Sequence, residues 1–70
     1  MMPLAMASAG DRSIIKKITG KDEVRQHLAE LGFVVGEEVV VISRLGQNMI
    51  LSVKDSRIAL DGSMALRIMV

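Results

Sequence analysis

The sequence contains no cysteine, tryptophan or tyrosine, and it has only one phenylalanine, one proline and one histidine among its 70 residues. Without cysteine the chain forms no disulfide and no thiolate metal site. A single domain of this length buries only about 60% of the surface that its unfolded chain exposes, so its stability is marginal. Half of the residues are nonetheless hydrophobic. Either the core is densely aliphatic or part of the apolar surface serves a partner, because small domains often depend on a partner subunit.

The chain also lacks a large excess of charge of one sign, because its nine lysine and arginine residues are nearly balanced by eight aspartate and glutamate residues. This balance lacks the basic excess of a dedicated nucleic-acid binder, so the sequence predicts no nucleic-acid partner. No apolar run approaches the roughly 20 residues that a helix needs to cross a bilayer, which argues against direct membrane insertion. The first seven residues are apolar but carry no basic leader, so we expect a cytoplasmic protein.

The clearest periodic signal predicts a helix over residues 22–31. Apolar residues recur there at i, i+4 and i+7, at Val24, Leu28 and Leu31. Asp22 and Glu23 fall in the first turn, where carboxylates interact favourably with the helix dipole. Gly32 follows the last apolar position, as the glycine of a left-handed C-terminal cap does, and Phe33 is expected to fold back on the last turn.

Five short strands are predicted, at residues 13–18, 38–44, 49–54, 57–60 and 66–70. The segments between them are rich in glycine, asparagine, aspartate and serine, which favour turns. Closely spaced short strands favour a barrel over an open sheet, because closure removes exposed edges. The sequence therefore predicts a mainly β fold, a small β-barrel with one inserted α-helix.

Two of these strands carry more detailed predictions. Ile15 and Ile18 cannot share one face of a regular strand, so a β-bulge near Lys16 and Lys17 would turn both inward. In the last strand, side chains are expected to face the core and solvent alternately. Those facing the core are Leu66, Ile68 and Val70, and those facing solvent are Arg67 and Met69.

No constellation of residues indicates catalysis or cofactor binding. The adjacent pairs Asp22-Glu23 and Glu37-Glu38 fall at a helix start and a turn, whereas acid–base catalysis needs two carboxylates in different environments. None of the six serines has a recognisable histidine base, and no glycine array resembles a phosphate-binding loop. We therefore assign no catalytic and no cofactor-binding residue.

His27 is a weak metal candidate, together with Glu23 and Glu30 on the same helix. One histidine and two carboxylates do not complete a transition-metal shell without a second chain. The favoured interpretation is a partly exposed histidine that hydrogen-bonds a carboxylate. The methionines among aliphatic residues, Met49, Met64 and Met69, are interpreted as core filling.

Four cations cluster at the junction of the first strand and the helix: Lys16, Lys17, Lys21 and Arg25. A basic groove on a small barrel can bind nucleic acid when aromatic side chains stack on the bases. The only aromatic residue is Phe33, which is expected to cap the helix. The favoured interpretation of this cluster is therefore solvated surface.

Both faces of the strand at residues 39–42 are apolar, although a half-buried antiparallel strand should alternate with polar residues. Two interpretations remain open. The helix covers the outer face, or Val40, Ile42 and Met49 form an exposed patch of the kind that marks partner sites.

The chain resembles the FeoA family in seven segments, taken in order: Pro3-Leu4, Ala9-Gly10, residues 18–20, Val24-Arg25-Gln26-His27-Leu28, residues 30–33, Gly36-Glu37 and Ser56-Arg57-Ile58-Ala59-Leu60-Asp61. The order and spacing of these segments make the resemblance specific, although each is short. Many members have proline before the glycine of the turn, where this chain has Val35.

The resemblance implies an SH3-like barrel without enzymatic activity or cofactor. It implies an accessory protein of bacterial ferrous-iron transport, which contacts the cytoplasmic GTP-binding domain of the FeoB-type permease and is recruited through it to the inner face of the membrane. A homo-oligomer is left open. The alternatives are the SH3-like domain of a metal-responsive regulator, which would require a helix-turn-helix segment, and a small barrel that binds RNA or the ribosome.

Position along the chain, rather than the resemblance, suggests the interaction surface. The first part is the hairpin loop, with Arg44, Leu45, Gly46 and Asn48. The second is the helix exit, with Gly32 and Phe33, and the apolar strand adds Val40 and Ile42.

Overall fold

The computed structural model describes residues 1–70 and shows six strands, two α-helices and one 3-10 helix. In chain order these are the 3-10 helix Leu4–Met6, β1 Arg12–Ile14, β2 Lys17–Ile18, α1 Asp22–Glu30, β3 Glu38–Leu45, β4 Asn48–Val53, β5 Ser56–Leu60, α2 Gly62–Ala65 and β6 Ile68–Met69. The predictions of one helix over residues 22–31 and of the three middle strands are confirmed to within one residue at each end. No helix combines the length and apolar character needed to cross a bilayer.

The strands form two antiparallel sheets. One sheet has the order β1-β3-β4-β5, and the other pairs β2 with β6. Pro3 adds an isolated bridge to Met69 on the second sheet. Fourteen residues are buried, all of them hydrophobic, and they come from both sheets, both α-helices and the N-terminal segment. The core therefore lies between the sheets, as in a barrel, although no continuous ladder of strands closes it.

The prediction of one continuous strand over residues 13–18 is wrong. The chain leaves the first sheet after Ile14 and enters the second at Lys17. Between them, the Ile15 N–H donates to the Glu37 carbonyl at 2.9 Å, and the Gly36 N–H donates to the Ile15 carbonyl at 2.8 Å. Ile15 is buried as expected, at the point where the chain crosses between the sheets. The Lys16 N–H donates to the Met69 carbonyl at 2.8 Å and Lys17 lies opposite the same residue, so an extra residue is present near Lys16 and Lys17 as predicted.

Helix α1 ends in a full Schellman cap, which confirms the prediction. The Phe33 N–H donates to the Leu28 carbonyl at 2.9 Å, and the Gly32 N–H donates to the Ala29 carbonyl at 3.0 Å. Gly32 has a φ of +107°, which only glycine adopts readily. Leu28 and Phe33 are both buried in the same core cluster, so the cap fixes the helix to the rest of the domain.

Two hairpins connect the middle strands. In the first, Leu45 pairs with Asn48 across a two-residue loop that has Gly46 at a φ of +61°. In the second, Lys54 and Asp55 both have positive φ, which is the geometry that matches the right-handed twist of the flanking strands. Both loops are tight, so they fix the register of β3, β4 and β5.

The prediction of a strand over residues 66–70 is only partly correct. Asp61 caps a four-residue helix, α2, by accepting a hydrogen bond from the Met64 N–H at 2.9 Å. Leu66 follows that helix and is exposed, contrary to prediction, whereas Ile68 and Val70 are buried as expected. Leu66 and Arg67 belong to the turn that ends this capped helix and not to the strand that the alternation had predicted. Only Ile68–Met69 therefore pairs with β2.

Candidate interaction surfaces

The first candidate surface is the β3–β4 hairpin, which we call the hairpin surface and define by Arg44, Leu45, Gly46, Asn48 and the adjacent Met6 and Leu66. Leu45 is 69% exposed at the end of β3. On the other side of the loop, Met6 (70% exposed) and Leu66 (53% exposed) line a groove of about 520 Å³ together with Arg44 and Gly46. Two large aliphatic side chains, Met6 and Leu66, are therefore exposed in one groove, and Leu45 is exposed on the opposite side of the loop.

Arg44 has a structural role in this surface. One guanidinium nitrogen, Nη1, donates to the Ala5 carbonyl at 2.7 Å and to the Ala7 carbonyl at 2.8 Å. Hydrogen bonds from a charged donor are stronger than neutral ones. Arg44 therefore fixes the 3-10 helix, and with it Met6, against the hairpin.

Asp61 and Ser63 fix the opposite wall of the same groove. The Ser63 Oγ donates to Asp61 Oδ1 at 2.7 Å, and the Met64 N–H donates to the same oxygen. The hydrogen bond from Ser63, followed by that from Met64, lowers the pKa of the Asp61 carboxyl below its usual value, because both stabilise the ionised form. A Cβ on the neighbouring Gly62 would lie 3.0 Å from the Gln47 carbonyl oxygen, so the helix start approaches the loop closely.

Two interpretations were left open for the apolar strand, and the second, an exposed patch on β3 and β4, is not formed. Met49 is fully buried, because it pairs with Arg44 and Leu60 on the inner face of the sheet. Val40 and Ile42 are half-buried, and the register shifts between Val41 and Ser43. Because of this irregularity, Ile42 does not follow the regular alternation of side chains between the two faces of the sheet. The strand is therefore apolar but does not expose a continuous row of apolar side chains.

The helix exit is a separate part of the molecule. The Phe33 side chain is fully buried and belongs to the core, so it offers no surface for a partner. A Cβ on Gly32 would contact side-chain atoms of Val53 and Lys54 at 3.5 and 3.7 Å. Because Asn48 and Val53 are the two ends of β4, the structure places the helix exit and the hairpin surface at opposite ends of that strand.

A second groove, of about 640 Å³, lies between β2 and α1. Lys16, Lys17 and Arg25 line it together with apolar residues that include Val34 and Val35. The sequence had shown this cation cluster, which we interpreted as solvated surface because the only aromatic residue was expected to cap the helix. The fold adds the apolar wall opposite, which the sequence alone did not locate.

The weak metal candidate is not supported by the geometry. His27, Glu23 and Glu30 are all exposed on α1. No group of three histidine, cysteine, aspartate or glutamate side chains in the structure is placed to hold a metal ion.

Comparison with known proteins agrees with this architecture. The model of the FeoA domain family matches residues 2–70. A Methanocaldococcus jannaschii protein with the provisional name Fe(2+) transport protein A is 37% identical over 70 residues, which cover all of this chain and 85% of that protein. Two FeoA crystal structures are similar. One, described as an iron uptake regulatory protein, has a TM-score of 0.88 at 31% identity and covers 96% of this chain and 89% of its own.

The second structure is FeoA of Stenotrophomonas maltophilia complexed with zinc, described as a prokaryotic SH3 domain protein. Its TM-score is 0.86 at 28% identity, with 99% of this chain and 88% of that chain covered. The SH3-like fold expected from the resemblance is thereby confirmed. With the family model matching from the second residue to the last, and a relative at 37% identity, this chain belongs to the FeoA family.

Proposed function

We propose that this protein is a non-enzymatic accessory protein of ferrous-iron uptake, which acts in the cytoplasm by binding the GTP-binding domain of a FeoB-type permease. Membership of the FeoA family, and the relative described as an Fe(2+) transport protein, support the place in iron transport. The name of the Stenotrophomonas maltophilia relative, which refers to activation of ferrous iron transport, agrees with an accessory role.

The observation that supports a protein partner is the hairpin surface. Single exposed aliphatic side chains are common, but clusters of them mark interaction sites. Met6 and Leu66 are each more than half exposed along one groove beside the loop, and Leu45 is exposed on the other side of the same loop. Arg44 and the tight loop fix the backbone beneath them, which lowers the entropy lost on binding. We therefore propose that the hairpin surface contacts the permease domain.

Calorimetric titration of the full chain into the purified cytoplasmic domain of the permease tests this proposal, with and without guanine nucleotide. We expect Leu45→Lys to weaken binding by at least about tenfold, which corresponds to about 1.4 kcal/mol. The matched control is Ile14→Lys, because Ile14 is also about half exposed but lies opposite Glu38, at the other end of β3 from Leu45.

Two results would contradict the proposal. Absence of binding in both nucleotide states would remove the permease domain as the partner. Equal weakening by both lysine variants would remove the hairpin surface. Tight binding of RNA that falls steeply with salt would instead favour the RNA-binding alternative.

A further inference from the structure

We propose that the groove between β2 and α1 binds an extended, acidic segment of another protein, which adds as a strand to the free edge of β2. The inference stands on the groove itself and does not depend on the permease proposed above. Three features of the groove carry it: an unpaired strand edge, an apolar wall and a set of cations.

The first feature is the free edge of β2. This strand pairs only with β6, in a two-stranded sheet. Ile18 lies opposite Ile68, and the next residue, Thr19, donates its N–H to the Arg67 carbonyl at 2.7 Å. In an antiparallel pair, alternate residues direct both backbone groups away from the partner strand, so the N–H and C=O of Ile18 point away from β6. They are available to an added strand, which is how extended peptides bind exposed sheet edges.

The second feature is the apolar wall opposite β2. Ala29 of α1 lines the groove, followed by Phe33, Val34 and Val35 beyond the helix. The Phe33 side chain itself is fully buried, whereas Val35 is 64% exposed and gives the wall its accessible apolar surface. Such a wall suits apolar side chains at alternate positions of an extended segment, because successive residues of a strand point to opposite faces.

The third feature is charge. The cations Lys16, Lys17 and Arg25 line the groove, and none of its ten lining residues is acidic. Neither lysine takes part in the three ion pairs of the structure. Arg25 contacts Asp22 at 3.5 Å, but the Asp22 side chain is 99% exposed, so water readily replaces that contact. The charge complementary to this groove is negative.

Other ligands fit less well. Proline-rich segments bind SH3 domains through grooves lined with aromatic side chains, and single-stranded nucleic acid binds by stacking on such side chains. The only aromatic side chain here is fully buried. A second copy of this chain would have to present its acidic pairs, but Asp22-Glu23 lies in a helix and Glu37-Glu38 lies at the start of the paired strand β3. The ligand that fits the groove is therefore an acidic, extended segment of a different protein.

The test is an NMR titration of the isotopically labelled full chain with a short peptide of alternating glutamate and valine, acetylated and amidated at its ends. Binding is followed through the backbone amide resonances of the chain. We expect the largest shifts at residues 16–20 and 29–35. Lys17→Glu is expected to weaken binding by about tenfold, whereas the matched control Arg57→Glu, an exposed cation on β5, should change it by less than about twofold. Val35→Asp, which adds a carboxylate to the exposed apolar wall, gives a second variant with the same expected direction.

Two modified peptides separate strand addition from simple charge attraction. N-methylation removes backbone donors, so methylation of one alternate set of residues should abolish binding, and methylation of the other set should leave it nearly unchanged. A lysine–valine peptide should not bind. Equal binding of the lysine peptide, equal binding of both methylated peptides, or shifts at other residues would overturn the proposal. So would tighter binding of oligothymidylate at the same groove, or peptide-induced dimerisation of the chain.

Discussion

Replacement of Leu28 by alanine tests how the helix is attached to the domain. Leu28 is the one fully buried residue of α1, and it lies in the core cluster with Phe33. The capping hydrogen bond from the Phe33 N–H to the Leu28 carbonyl is a backbone contact and survives the change. Alanine also has the higher helix propensity, so any loss of stability must come from packing rather than from the helix itself.

The expected loss follows from the atoms removed. Leucine to alanine deletes three side-chain carbons, which at about 0.8 kcal/mol per buried methylene gives about 2.4 kcal/mol. The residual cavity adds to this, so the range is about 2–5 kcal/mol. A chain of 70 residues has a total stability of only about 3.5–10 kcal/mol at the usual value per residue. We therefore expect Leu28→Ala to lower the melting temperature by roughly 8–40 °C.

Urea denaturation followed by circular dichroism measures this loss, because the chain has no tryptophan to report unfolding by fluorescence. The matched control is Leu45→Ala, which makes the same chemical change at a residue 69% exposed and should stay within about 0.5 kcal/mol. A loss below about 1 kcal/mol for Leu28→Ala, or an equal loss in the control, would refute the inference that α1 is held by this side chain.

Two further predictions concern the cap and the groove wall. Gly32→Ala should destabilise the protein by about 1–3 kcal/mol in urea denaturation, because alanine at a φ of +107° is strained. Gly46→Asn, at a φ of +61° that asparagine tolerates, should cost much less, and equal costs would contradict the backbone argument. Ser63→Ala should raise the pKa of Asp61 toward its usual value in a carbon-detected NMR titration, because the largest cause of the lowered pKa is removed. Since the folded-state pKa of Asp61 is lowered, its contribution to stability is present above the unfolded pKa of about 3.9 and disappears as the pH falls through the folded value. An unchanged pKa in Ser63→Ala would show that the backbone N–H groups of Met64 and Ser63 maintain the ionised carboxylate without the hydroxyl.

The elements that the sequence predicted well are those specified by neighbouring residues. The helix, its glycine cap and the two hairpins each depend on side chains or turn residues within a few positions of one another. The short helix α2 also has a local signal, because the capping residue Asp61 lies three residues before Met64, whose N–H donates to it. It was missed because the alternation of residues 66–70 was given more weight than the cap.

The candidate surfaces were predicted less completely. The hairpin could be predicted from its own loop residues, and Leu45 is exposed there. Met6 and Leu66 could not be added to this surface from the sequence, because they come from near the two ends of the chain, which meet beside the hairpin only in the fold. Phe33 was assigned to a partner surface and also to the helix cap, and its burial shows that the cap takes it into the core. Met49 was interpreted as core filling and, in one of two open interpretations, as part of an exposed patch; its burial confirms the first. The sequence left both open because the face of Met49 depends on a register that the bulge in β3 helps to set.

The amino-acid sequence by itself determined an aliphatic, mainly β domain with one capped helix, because periodicity, turn residues and capping residues act over short separations. Only the tertiary structure decided that the chain crosses between two sheets at Ile15, and that the cations near residue 16 stand across a groove from Val35. Those outcomes depend on which distant segments pair and pack together. Local pattern cannot specify such pairings, because the free energy that selects them comes from burying all the apolar faces at once.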